Sequence, residues 1–189
     1  MNRYDRLRTS EFTLPSLLAL AQLRTAGPAN PPHFPITLVA SSANQMRGET
    51  YGAELAIATQ LAPGWRVRAS YSHSRVALHR ERGSTDISGE DDEGRSPRDQ
   101  GYLWSQHDLS SAWKLDWILR GVGRLRTGDI PAYVALDLRV AFRPANHWEI
   151  ALSGRNLNDR KHPEFQPAGV IIPATETARS GQLEIKYDF

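Results

Sequence analysis

Cysteine is absent from this 189-residue chain. That excludes a disulfide framework, thiol chemistry and any cysteine-ligated zinc site. Long apolar runs are also missing, and none approaches the roughly 20 residues that a membrane-spanning helix needs. The chain has no block of Lys or Arg. Its 23 Lys and Arg are interspersed with 21 Asp and Glu for a formal net charge of +2, so no basic face points to nucleic acid and none is expected as a partner. No segment carries a convincing helical period. The composition that remains, 40% hydrophobic and 23% charged, is that of a folded domain and not a disordered chain. A mean hydropathy of -0.50 is compatible with a membrane barrel, because half of every barrel strand faces water.

What the sequence has is alternation. In the last nine residues Leu183, Ile185, Tyr187 and Phe189 alternate with Gln182, Glu184, Lys186 and Asp188. A period of two predicts a strand with one apolar and one ionic face. Val134, Leu136, Leu138, Val140 and Phe142 alternate with Tyr133, Ala135, Asp137, Arg139 and Ala141, and Trp148, Ile150, Leu152 and Gly154 with Glu149, Ala151, Ser153 and Arg155. The same pattern predicts strands over 48–61, 65–77, 99–109, 113–126, 132–143, 147–157 and 181–189, with a short one at Ile36–Ala43. The expectation is about eight antiparallel strands. Residues 1–35, with Pro28, Pro31, Pro32 and Pro35, are expected to form an irregular N-terminal segment, and 36–189 a single all-β body. Arg3, Arg6 and Arg8 before Leu14–Ala21 make only a weak export signal, broken by Asp5, Glu11 and Pro15.

Loop lengths carry the topology. The turns at Pro63-Gly64, Ser110-Ser111 and Pro144–Asn146 are tight, whereas 78–98 and 158–177 are long. In an up-and-down meander the tight turns fall on one rim and the long loops on the other, as in outer-membrane barrels. Trp65, Trp113 and Trp148 all follow tight turns, which puts three tryptophans at one level as an interfacial aromatic girdle. On this basis Leu183, Ile185, Tyr187 and Phe189 face lipid from the closing strand. A soluble β-sandwich with core tryptophans is the competing architecture. The Arg, Asp, Glu and Lys on nearly every polar face favour the barrel, whose wet lumen accepts them.

Several short elements occur in a known order. They are Tyr4-Asp5-Arg6-Leu7-Arg8, Gly48-Glu49-Thr50-Tyr51-Gly52-Ala53-Glu54 after Asn44, Gly64-Trp65 with Ser70-Tyr71-Ser72, Ile130-Pro131-Ala132-Tyr133 with Leu136-Asp137-Leu138-Arg139, Gly154-Arg155-Asn156-Leu157-Asn158-Asp159, His162-Pro163-Glu164-Phe165, Ala178-Arg179-Ser180 and the terminal Phe189. Together they resemble the C-terminal β-barrel portion of a TonB-dependent outer-membrane receptor. The resemblance implies an antiparallel up-and-down transmembrane barrel segment, some eight strands of about 22. It implies a Gram-negative outer-membrane location, with outer-membrane lipid as surroundings. It further implies energised uptake of a siderophore, vitamin or oligosaccharide by the whole receptor. Such receptors also have an N-terminal plug and further barrel strands, which this sequence lacks. TonB would be contacted only through the plug, so the chain is expected to be truncated and not competent alone. A small closed outer-membrane barrel and a soluble β-sandwich binding module are the alternatives.

No other motif withstands its plainer explanation. Ser111-Ala112-Trp113-Lys114 fits the S-x-x-K motif of serine acyl enzymes, but that motif needs a helix and here it begins a strand. Gly121-Val122-Gly123 lacks the third glycine of a phosphate loop. The six histidines are scattered over different elements. Asp86, Glu90, Asp91, Asp92 and Glu93 are not in EF-hand order and suit a solvated loop. The ionic set Asp137, Arg139, Glu149, Arg155, Glu184 and Lys186 suits cross-strand pairing. An enzyme is therefore not expected: no catalytic, cofactor-binding or metal-binding residue is assigned, and the ligand site is unknown.

Overall fold

The alternating stretches fold as strands in the computed structural model, which describes residues 1–13, 17–18, 39–166 and 175–189. The strands are β1 (Asn2–Phe12), β2 (Ala40–Ala62), β3 (Trp65–Arg80), β4 (Asp99–Asp108), β5 (Trp113–Val122), β6 (Tyr133–Ala145), β7 (Trp148–Arg155), β8 (Lys161–Phe165), β9 (Thr175–Ala178) and β10 (Ser180–Tyr187). Helix among the described residues is confined to a 3-10 segment at Gly89–Gly94 and to residues 17–18. The hydrogen-bonded order β1-β2-β3-β4-β5-β6-β7-β10 is that of an antiparallel meander, with β8 and β9 as a separate hairpin inserted between β7 and β10. The order ends at β1 and at β10, each with one neighbour.

Two contact units divide the chain: Met1–Tyr51 with Arg75–Glu93, and Gly52–Ser74 with Gly94–Phe189. In the first, β1 pairs with Ala40–Thr50, the half of β2 farther from the Pro63-Gly64 turn. This corrects two expectations. Residues 1–35 are not irregular throughout, because Asn2–Phe12 is a strand. Alternation fails to reveal it because its register shifts twice, between Tyr4 and Leu7 and between Leu7 and Thr9. The first shift puts one extra residue in β1, beside Arg6 at φ 58, and moves its later side chains to the opposite face, whereas the second puts the extra residue in β2. The second correction concerns the strands expected at 36–43 and 48–61. Ala40–Ala62 is one strand, so its 40–50 portion is paired and not an edge. Residues 36–38, the Pro28–Pro35 stretch and most of Leu14–Ala21 lie outside the described residues.

The 81–94 segment is not simply solvated. Its acidic side chains bind backbone within the first unit. Asp86 Oδ2 accepts the Ser10 N–H at 2.7 Å and Oδ1 those of Ser88 and Gly89 at 2.9 and 2.8 Å. Glu90 accepts the Arg80 N–H at 3.0 Å and Glu93 the Leu78 N–H at 2.6 Å. Glu11 on β1 returns the contact, accepting from Ser84 Oγ at 2.8 Å and from the Thr85 amide and hydroxyl. Burial opposes ionisation of Glu11, but the hydrogen bonds from Thr9, Thr85 and Ser84 outweigh it and hold its pKa at about 2. Asp86 is likewise held below its ordinary value by three backbone amides acting against burial.

In the second unit the ladders are continuous. β3 to β4, β4 to β5, β5 to β6 and β7 to β10 pair without a register shift, and β6–β7 shifts only beside its turn. Gly64 turns the β2–β3 hairpin at φ 76, a conformation that favours glycine. The expected strand 113–126 ends sooner, at Val122. Leu125 and the buried Ile130 instead bond each other across a turn containing Gly128 and Asp129.

Candidate functional site

Register gathers the apolar residues of the second unit on one face. Val67 lies opposite Ser105 and Ala69 opposite Leu103. The row continues through Leu119 to Leu136, while Trp117 meets Leu138 and Leu115 meets Val140. Val140 meets Leu152 and Phe142 meets Ile150. Leu152 then meets Leu183, Ile150 meets Ile185 and Trp148 meets Tyr187. Among the described residues nothing covers this face: Leu152, Leu183 and Ile185 are 63%, 64% and 61% exposed. Burying such a side chain is worth about 1.5–3 kcal/mol, so a soluble protein would not leave a continuous sheet of them bare. The buried apolar residues here are small or lie beyond the strands: Ala135, Ala141, Ala151, Leu125 and Ile130. Among the described residues there is no sandwich core.

Trp65, Trp113 and Trp148 are all exposed on that face, one at the start of each strand after a tight turn. They do not stand alone. Trp65 stacks on His107 at 5.4 Å, and its Nε1–H donates to Ser105 Oγ at 2.9 Å. Trp113 stacks on Phe142 at 4.5 Å, and Trp148 meets Tyr187 at 4.8 Å. Tyr187 in turn meets Phe189 edge-on at 5.2 Å. His107 and Phe142 are the ring partners of Trp65 and Trp113, and the sequence reasoning missed them. Their signal was position, since each lies within a few residues of a tight turn on the apolar side.

The opposite face is ionic. Arg139 donates to Glu149 Oε1 at 2.7 Å and lies 3.9 Å from Asp116, and Arg143 takes Glu149 Oε2 at 2.7 Å. Arg120 meets Asp137 at 3.1 Å, and Asp108 receives Arg66 and Lys114. The Arg68 guanidinium sits 5.1 Å from the Trp104 ring. Asp137, Arg139 and Glu149 therefore pair across strands as expected. Lys186 instead pairs with Asp188, just beyond the end of its own strand. A concavity of ≈ 430 Å³ lies over this face, with Trp104, Asp116, Arg120, Asp137, Arg139 and Glu184 in its wall. The lining is mostly polar and charged. Ser111 is in the β4–β5 turn.

Above the ends of β6 and β7 the short motifs close on one another. Asn156 follows β7 at φ 52, a left-handed position that asparagine tolerates. Its backbone N–H donates to Asp137 Oδ1 at 2.9 Å. Two residues on, the Asn158 amide mimics a neighbouring strand: Oδ1 accepts the Leu136 N–H at 2.8 Å and Nδ2 donates to the Val134 carbonyl at 2.7 Å. Leu157 folds back over Gly154, where a Cβ would stand 2.7 Å from Leu157 Cδ2. The buried Asn156 side chain donates to the Thr177 carbonyl at 3.2 Å and faces His162 Nδ1 at 3.3 Å. The His162 ring stacks on Tyr133 at 4.0 Å, and the Tyr133 hydroxyl donates to Glu164 at 3.2 Å. Burial raises the Glu164 pKa, but hydrogen bonds from Thr177, His162 and Tyr133 bring it below the ordinary value. The β8–β9 hairpin is thereby fastened to the strand ends. Sequence order singled out these residues without saying what they bind.

A family model described as "TonB dependent receptor-like, beta-barrel" matches residues 16–157. The chain belongs to the TonB-dependent receptor β-barrel family. The ladder, the bare apolar face and the ionic face are thus those of an antiparallel transmembrane barrel segment. Among solved structures, the siderophore receptor PiuA from Acinetobacter baumannii is similar at 19% identity and TM-score 0.66, over 78% of this chain and 23% of that one. The pyoverdine receptor FpvA from Pseudomonas aeruginosa PAO1 is similar at 18% identity and TM-score 0.63, over 96% and 26%. The ferric yersiniabactin uptake receptor FyuA from Yersinia pestis gives 17% and 0.63, over 79% and 25%. At these identities the likeness is one of fold. The chain spans about a quarter of the length of these receptors. No curated protein matches the chain. The family is one of receptors and transporters, not enzymes.

Proposed function

We propose that this chain is the C-terminal part of a TonB-dependent receptor barrel in the Gram-negative outer membrane. The receptor it belongs to takes up a siderophore, vitamin or oligosaccharide by energised transport. The match of the family model over 16–157 carries this reading. Three of the similar solved receptors are named for siderophores and one, OprC, for copper, which favours a metal or its chelate as the solute. The aromatic belt of Trp65, Trp113 and Trp148 sits at the inner membrane–water interface, where amphipathic rings are at home. Leu183, Ile185, Tyr187 and Phe189 face lipid from the closing strand. TonB engages the receptor through its plug.

The chain is not competent alone. β1 and β10 each have one hydrogen-bonded neighbour, and lipid cannot satisfy the donors and acceptors of an open edge. Residues 1–189 are expressed in a Gram-negative host, alone and with the remaining barrel strands supplied in trans. The outer-membrane fraction is then run on gels with and without heating. The chain alone is expected to aggregate, and with the added strands to give a heat-modifiable, protease-resistant species. A heat-modifiable β-rich monomer from the chain alone would overturn the segment reading and favour a small closed barrel.

A further inference from the structure

Among the described residues His162 is the one buried histidine. It lies on β8, opposite Thr177 of β9. Its contacts select one tautomer. The Asn156 amide nitrogen, 3.3 Å from Nδ1, can only donate, so Nδ1 accepts and the ring proton is on Nε2, 3.3 Å from Glu164 Oε1. A second carboxylate stands on the Nδ1 side. Asp159 Oδ2 is 3.5 Å from Nδ1, which in this tautomer has no proton to give it.

The Asn156 side chain is bonded from its nitrogen only. Nδ2 also donates to the Thr177 carbonyl at 3.2 Å, while the buried Oδ1 has no donor among the described residues. The contact that holds Nδ1 is thus a long one from an under-bonded amide. Each ring nitrogen, in contrast, has a carboxylate oxygen within reach.

We infer that His162 is an acid-sensitive clasp on the β8–β9 hairpin. Protonation puts a second N–H on the ring. Nδ1 then ceases to accept from Asn156 and donates to Asp159 Oδ2, while Nε2–H stays on Glu164. A charge-assisted bond replaces a long neutral one, and it ties the segment after β7 to β8. The Tyr133 ring, stacked on His162 at 4.0 Å, presents a face that attracts a cation. The hairpin is therefore held more firmly to the ends of β6 and β7 as the medium acidifies. The other charged groups around the ring are engaged elsewhere. Lys161 pairs with Glu176 at 2.7 Å, Arg179 donates to the Asp159 carbonyl at 3.1 Å, and Asp137 takes the Asn156 N–H and Arg120. Glu164, held below its ordinary value, stays ionised through the range in which histidine ordinarily titrates. Nothing in this clasp depends on the solute or on the membrane placement proposed above.

The full chain is co-expressed with the strands that complete its barrel and purified. Amide exchange is followed at about pH 7.5 and about pH 5.5, on either side of the ordinary histidine titration, and corrected for the intrinsic pH dependence of the exchange rate. Protection of the β8 and β9 amides is expected to rise about fivefold at the lower pH, the scale of one charge-assisted bond replacing a neutral one. Asp159→Asn is expected to remove that rise and leave protection at the higher pH unchanged. It keeps an acceptor for the Lys161 N–H, now 3.4 Å from Asp159 Oδ1, but offers the imidazolium no charge. His162→Gln is expected to give the same protection at both pH values. A merely structural role for either side chain would lower protection at both and leave their ratio intact. Protection that is unchanged or lower in acid, or a rise that survives Asp159→Asn, overturns the inference. Where His162→Gln fails to assemble, the ratio measured for Asp159→Asn decides.

Discussion

Removing the Asp137 carboxylate is expected to open the junction between β6 and the Asn156–Asn158 segment. Asp137 makes two different contacts. Oδ1 accepts the backbone N–H of Asn156, a residue 1% exposed, and Oδ2 accepts Arg120, whose side chain is 47% exposed. A buried amide left without an acceptor costs about 1–3 kcal/mol. A partly exposed ion pair contributes only about 0–1 kcal/mol. Asp137→Ala loses both contacts, so its expected cost is about 2–3 kcal/mol. Asp137→Asn keeps an oxygen for the Asn156 amide and is expected to cost about 1 kcal/mol or less, as is Arg120→Gln. Urea midpoints of the assembled barrel measure the three, with an unchanged slope as the check on a common unfolded state. Amide exchange at Asn156 and Leu157 locates the effect, because the Leu157 N–H bonds the Leu136 carbonyl at 2.8 Å just beyond the junction. Equal losses for Ala and Asn, or an Arg120→Gln loss as large as that of Asp137→Ala, would refute the assignment of the energy to the buried amide.

Glu11 has a folded pKa of about 2 against an ordinary 4.5, so its stabilisation is full above about pH 4.5 and declines as pH falls toward 2. Protection against exchange at Thr85 and Phe12, corrected for the intrinsic pH dependence of the exchange rate, is expected to fall across that window, and Glu11→Gln to remove the Glu11 share of the pH dependence and leave that of Asp86. Gly154→Ala places a methyl against Leu157 and is expected to destabilise by about 1 kcal/mol, with Leu157→Ala in the same chain recovering part of it; additive losses in urea unfolding would argue that the contact carries no energy. Fluorescence of Trp65, Trp113 and Trp148 is expected to be quenched by labels near the lipid carbonyls more than by labels at the bilayer centre. The reverse order would remove the girdle.

Strand identity and the two faces were legible in the sequence because alternation is a local property with a period of two. Val134 to Phe142 and Leu183 to Phe189 needed no tertiary information to be placed on one side. The tight turns placed Trp65, Trp113 and Trp148 each at the start of a strand in the same way. The tertiary structure decided whatever depends on residues distant in the chain. β1 was hidden because a bulge between Tyr4 and Leu7 breaks its period, and only pairing with Ala40–Thr50 makes it a strand. Asp86, Glu90 and Glu93 looked like a solvated acidic run until their acceptors were seen to meet the backbone of Ser10, Arg80 and Leu78. The order of Asp137, Asn156, Asn158 and His162 marked a family, but the hydrogen bonds that join them span roughly 6 to 24 residues. A linear pattern specifies which side chains share a face. It does not specify which donor and acceptor meet across loops, because that choice is made only when the strands holding them are in register.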